Sequence, residues 1–136
     1  MRRLLLAAVF AAGLGLAAAV PAGADPDVGP PYIADAHWVH YGDLSSLRVY
    51  PTPAGRHEAG IPGTDAQGAE AWHEVLALSP EASSPGMREQ FMCHWDFAEL
   101  FEPGKASWNL EPWRPQVDDQ QMIAAGCNPG GSEEPF

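Results

Sequence analysis

The sequence predicts a small α+β domain: a short antiparallel sheet, a hairpin plus a third strand, packed by two or three helices and held by one disulfide. Three observations predict it. A period-two apolar pattern flanks Gly42-Asp43, which is the signature of a hairpin. Helical-period stripes follow it between proline and glycine breaks. Two cysteines sit in a chain that opens like an exported one. At 136 residues the chain suits one domain and leaves no room for two.

The N-terminus comes first. Arg2 and Arg3 precede an uncharged run from Leu4 to Val20, followed by Pro21 and Ala22-Gly23-Ala24. A basic start, an apolar stretch and small residues before a cut are the parts of a cleaved secretory signal over residues 1–24. The arginine pair also fits a twin-arginine signal, but the apolar run directly after it favours the ordinary secretory route. No later run approaches the roughly 20 residues of a spanning helix, so the expected product is exported, without a membrane span. Pro26, Gly29, Pro30 and Pro31 make residues 25–32 a flexible leader, and Pro129, Gly130, Gly131 and Pro135 make residues 128–136 a flexible tail. The globular part is then residues 33–127.

Ile33 to Tyr41 alternates, with Ala34, Ala36 and Trp38 on one face and Asp35, His37 and Val39 on the other. Ser46 to Tyr50 is its hairpin partner, ended by Pro51 and Pro53, since proline cannot donate to the ladder. Residues 51–63, rich in glycine and proline, read as a loop. Thr64 to Leu78 is a helix: Thr64 and Gln67 have capping-box spacing, and Ala69, Trp72, Val75 and Leu76 share a stripe. Pro80 stops it. Ser84-Pro85 is a second helix start, and Met87, Phe91, Trp95 and Ala98 recur at helical spacing. The stretch from Phe91 to Trp95 also alternates as a strand would, but helix is preferred. Pro103-Gly104 turns the chain into a third strand, Ser107 to Leu110. Val117 to Ala125 is a last short helix, with Asp118 and Asp119 at its positive end and Gly126 as its stop.

Export makes a bridge between Cys93 and Cys127 the expected state of the two thiols. It would tie the last helix to the second. Removal of residues 1–24, which hold two bases and no acid, leaves five basic against 18 acidic side chains, a net charge of −13 over 112 residues. That charge argues against nucleic acid as a partner and against adsorption to anionic membranes. No phosphate-binding glycine loop, nucleophile elbow or paired-histidine motif is present, so no cofactor and no metal is expected. His37 and His40, three apart on a strand, point to opposite faces. The five tryptophans serve either as core in a domain short of aliphatic residues or as an aromatic ligand platform.

Two stretches concentrate the remaining chemistry: Gly86 to His94, and Lys105 to Pro115. His94 adjoins the expected bridge, and Arg114 lies between Pro112 and Pro115. Arg56 follows Gly55 in a loop. His94 and Arg114 have ordinary roles open to them: a hydrogen-bonded histidine, and an arginine paired with Glu111 or stacked on Trp113. They also permit a site in which His94, Glu111, Arg114 and Arg56 converge on an anionic group. Two functions follow. One is a secreted, monomeric binding or interaction module for a protein or small molecule at or outside the cell envelope. The other is a small secreted hydrolase or nuclease-like effector using His94, Glu111 and Arg114.

Several runs carry a family resemblance: Trp38, Ser46-Leu47-Arg48-Val49, Trp72-His73-Glu74-Val75, Gly86-Met87, Cys93-His94 and Cys127-Asn128-Pro129. The most specific is Trp108-Asn109-Leu110-Glu111-Pro112-Trp113-Arg114-Pro115. Together they resemble a family of exported actinobacterial proteins grouped as domain of unknown function 2599. The resemblance spans most of residues 34–131. It implies secretion and a single domain, and it supplies no activity, substrate or catalytic residue.

Overall fold

The computed structural model describes residues 27–131. The expected signal over residues 1–24 and its cleavage point lie outside them. Strands β1 (Ile33–Tyr41) and β2 (Leu44–Pro51) form the hairpin. Helices α1 (Pro53–Glu58) and α2 (Asp65–Leu78) follow, then a 3-10 turn at Pro80–Ala82. Helix α3 (Met87–Phe101), strand β3 (Trp108–Leu110) and helix α4 (Asp119–Ala124) complete the domain. This is the α+β architecture with a three-stranded antiparallel sheet, in the order β1-β2-β3.

The hairpin pairs Tyr41 with Leu44 across a two-residue loop. Gly42 sits there at φ +57°, a conformation open to glycine because it lacks a Cβ. Trp38 faces Leu47 and Ala36 faces Val49, while β3 sets Leu110 opposite Leu47 and Trp108 opposite Val49. One sheet face therefore carries Ala36, Trp38, Leu47, Val49, Trp108 and Leu110. Against it pack Trp72 and Val75 of α2 and Met87, Phe91 and Trp95 of α3.

Aromatic rings fill the space between. Phe91 lies 5.4 Å from Trp72 and 6.0 Å from Trp108, and Trp95 meets Trp108 edge-on at 6.4 Å. Each such pair adds about 0.5–1.5 kcal/mol beyond area burial. Trp72, Trp95 and Trp108 are thus core. The platform reading does not hold for them.

Several local expectations are corrected. The region read as a loop over residues 51–63 contains α1. Pro53 opens it, and the Thr52 hydroxyl accepts from the Gly55 amide. Proline at the first helical turn is helix-compatible, and here Pro51 and Pro53 mark a direct strand-to-helix passage. Ala34 is exposed although it shares the expected apolar face, because a register shift between Ile33 and Asp35 displaces the alternation. The capping box does not form at Thr64, whose hydroxyl donates instead to the carbonyls of Glu58 and Ile61 and accepts from the Trp95 indole. It forms at Asp118 and Gln121, opening α4. Helix α3 starts not at Ser84 but after Gly86, at φ +83°.

Packing also extends past both ends of residues 33–127. Tyr32, the last residue of the expected leader 25–32, is buried and meets Trp95 edge-on at 5.7 Å. Its carbonyl receives the Thr52 amide, while its own amide and that of Ile33 both donate to the Glu74 carboxylate at 2.8 Å. Pro129, in the expected tail 128–136, is buried as well.

Candidate functional site

The structure brings three of the four candidate side chains into one network and leaves the fourth apart. The chain leaving β3 turns at Pro112, which folds Arg114 back onto Glu111. The Arg114 Nε donates to Glu111 Oε2 at 2.6 Å, and these side chains are 0% and 1% exposed. Glu111 Oε1 accepts from the Ser46 hydroxyl at 2.7 Å. The Arg114 Nη1 donates to the carbonyls of Pro129 and Gly131. The Arg114 guanidinium also lies 4.6 Å from the Trp113 ring centroid. Both ordinary roles anticipated for Arg114 therefore occur together.

Gln90 of α3 joins this turn to the helix. Its side chain donates to the Glu111 carbonyl and accepts from the Glu111 amide, both at 2.9 Å. This is the exchange a neighbouring strand would make, supplied here by an amide side chain. One turn on, His94 Nδ1 hydrogen-bonds the Gln90 carbonyl at 2.7 Å. His94 is 3% exposed and stacks on Trp108 at 6.4 Å. Gln90 lies in the Gly86–His94 stretch but was not among the candidate site residues. Its signal was its place on the inward stripe of α3 beside Phe91, where a polar residue needs a buried partner.

Arg56 is elsewhere. It pairs with Glu99 of α3 at 2.6 Å and donates to the Lys105 and Ala106 carbonyls, clamping α1 against the end of α3. The expected four-residue convergence is therefore reduced to His94, Glu111 and Arg114. Those three lie in packed interior, where Glu111 and Arg114 pair directly and His94 joins them only through Gln90. Neither Glu111 nor Arg114 stands on the walls of the four recesses formed by the residues around Met92, Phe101, Leu78 and Leu100. His94 alone borders a small recess of about 160 Å³, with Phe101, Lys105 and Cys127 on its walls. No group of three or more metal-ligating side chains occurs among the described residues.

The bridge is made: Cys93 and Cys127 are joined, with Cα atoms 5.5 Å apart. Gly126 at φ +58° and Cys127 at φ +66° turn the chain back onto α3. Cys93, Cys127 and Met122 form a second small core, flanked by Phe97 and Val117.

The outer surface of α3 is of a different kind. Leu100 and Phe101 are 62% and 61% exposed. Phe101 stacks on Phe97 at 5.7 Å and 13°. These rings continue the helix's apolar character on the side turned from the sheet.

Residues 33–130 match the family described as protein of unknown function, DUF2599. This chain belongs to that family. A protein of Mycobacterium bovis and one of Mycobacterium tuberculosis, both uncharacterized, are each 56% identical to this chain over 111 residues. Each alignment covers 82% of this chain and 74% of the relative. A Mycobacterium leprae relative is 48% identical over 103 residues, covering 76% of this chain and 83% of its own. No solved structure matches it. The matched residues include the run Trp108 to Pro115, which forms strand β3 and the Glu111–Arg114 turn. Trp108, Asn109, Leu110, Glu111 and Arg114 of that run are buried.

Proposed function

We propose that this DUF2599 protein is a secreted, monomeric, disulfide-stapled interaction module that binds a protein partner through the outward face of α3. The exposed Leu100 and Phe101 side chains, beside the half-buried Phe97, carry the reading. Two large apolar side chains more than 60% exposed on one helix turn, in so acidic a chain, are the surface feature expected of a partner-binding face. Secretion is supported by the Arg2-Arg3 start, the uncharged run and the Ala22-Gly23-Ala24 cut. The bridge fits an oxidising compartment. The hydrolase alternative loses support from the burial of Glu111 and Arg114, since a catalytic group must reach its substrate.

A photo-crosslinking side chain at position 101, in protein recovered from the culture medium of an actinobacterial host, tests this. The reading expects a discrete adduct from position 101 and none from position 73, on the exposed surface of α2, with the recovered chain starting at Asp25. Equal labelling from both positions, or recovery only of uncleaved chain in membranes, contradicts it.

A further inference from the structure

A groove of about 410 Å³ runs between α3, α4 and the start of α2. Met92, Phe97, Met122 and Ile123 give it apolar walls, while Asp65, Glu89, Asp96 and Asp119 stand around them with Arg88 as the single cation. A second hollow of about 310 Å³ lies further along α3, walled by Ile61, Pro62, Phe97 and Leu100. The two share Asp65, Asp96 and Phe97, so they adjoin along α3 as a trough with two carboxylates at its waist, where they meet. Helical spacing explains the arrangement. Met92, Asp96 and Leu100 recur every four residues, which places them in one row along the outer side of α3.

The waist is electrostatically incomplete. Neither Asp65 nor Asp96 takes part in an ion pair among the described residues. The Asp96 carboxyl is held above the usual carboxylate range, first by burial and then by the charge of Asp65. A part-buried acid beside a second, exposed acid is an arrangement that an incoming cation would relieve. The walls suit an apolar segment: methionine side chains adapt to varied shapes, and a helix or strand of a partner lays its anchors into such a trough.

We infer that this trough is the docking site for a basic amphipathic segment of a partner protein. One Lys or Arg sits between Asp65 and Asp96, and apolar anchors lie against Met92, Phe97 and Ile123 on one side and Leu100 and Ile61 on the other. Charge complementarity selects this occupant. Four acids against one base in the groove, within a chain of net charge −11, repel an acidic segment and a second copy of the same chain. The inference rests on the binding-module reading and names the chemistry of its partner.

The test uses the full chain and a synthetic 14-residue helical peptide of Lys and Leu in an amphipathic repeat. Two controls accompany it: the same peptide with Glu for Lys, and one with Ser for Leu. Amide shift mapping should place the Lys/Leu peptide at Met92, Asp96, Phe97 and Ile123. Both control peptides should bind at least about tenfold more weakly. Asp65→Asn/Asp96→Asn should weaken binding by about tenfold or more, and Asp43→Asn/Glu81→Gln, which removes the same charge from exposed positions elsewhere, by less than about twofold. Equal weakening by the two double variants overturns the site, because bulk charge then suffices. Shifts mapped to another face, or a concentration-dependent dimer that competes with the peptide, also overturn it. If the position-101 adduct persists in either case, the binding-module reading stands while the trough assignment falls.

Discussion

Glu111→Gln isolates the buried network. The substitution keeps the shape of the side chain and removes one charge, taking from the enclosed Arg114 guanidinium the carboxylate that its Nε meets at 2.6 Å. Both side chains are 1% exposed or less, so water cannot replace the lost partner. Breaking one half of a buried pair costs about 3–5 kcal/mol. The glutamine oxygen can still accept one hydrogen bond, which places the expectation near the lower end, about 3 kcal/mol. In a domain of this size, about 3 kcal/mol lowers Tm by roughly 12–24 °C. Urea unfolding followed by tryptophan fluorescence measures it, because Trp95 and Trp108 are fully buried beside the network. The midpoint should fall with the slope unchanged. Arg114→Met should cost a similar amount, and the two together less than the sum, since the double variant buries no lone charge. Ser46→Ala, which removes only the hydroxyl bond to Glu111, should cost about 1 kcal/mol. A Glu111→Gln protein within about 0.5 kcal/mol of the parent would refute the structural role of the pair.

Three further outcomes are expected. Cys93→Ser opens a closed loop of 34 residues' separation, worth about 4 kcal/mol in the chain-entropy model. Denaturant unfolding with and without reductant should show that loss, with no reductant effect left in the variant. Gly55→Ala places a Cβ against the Tyr32 carbonyl oxygen, which already receives the Thr52 amide. It should destabilise by about 1–3 kcal/mol, read as a lowered Tm despite alanine's better helix propensity. Asp96→Asn tests the waist of the trough. Its folded carboxyl holds a proton more tightly than the unfolded one, because burial and Asp65 raise its pKa. Stability is therefore lost as pH rises from the unfolded pKa through the folded one. The variant should melt higher than the parent at pH 7, and this gain should vanish near pH 3, where the parent carboxyl is protonated in both states.

Much of the fold was legible because its signals are local. The Gly42-Asp43 turn between alternating segments, the Pro80 stop and the Met87–Phe91–Trp95–Ala98 stripe each act over a few residues. The bridge was legible because two cysteines allow one internal pairing. What the sequence concealed depends on contacts across long separations. Residues 51–63 read as a loop, since six-residue helices carry little periodicity and α1 is held by its cap and by Tyr32, about 20 positions away. Thr64 carried a capping motif that its tertiary partners redirected. For the candidate site, Glu111 and Arg114 were picked out by their setting among prolines. Their burial was not readable, because it depends on Gln90, Ser46 and the carbonyls of Pro129 and Gly131. The trough was missed because Met92, Asp96 and Leu100 look like ordinary outer positions until α4 is tied across them by the bridge.

The division between residues that fold the chain and residues that bind is tested most directly by comparing His94→Asn with Leu100→Ser in the position-101 crosslinking assay. Asparagine retains a nitrogen able to meet the Gln90 carbonyl, so the buried bond is kept while any acid–base function is removed. The account predicts that His94→Asn retains the parent adduct yield and that Leu100→Ser, with Tm unchanged, loses at least about tenfold. Loss of the adduct in His94→Asn at unchanged Tm, with full yield in Leu100→Ser, would contradict it.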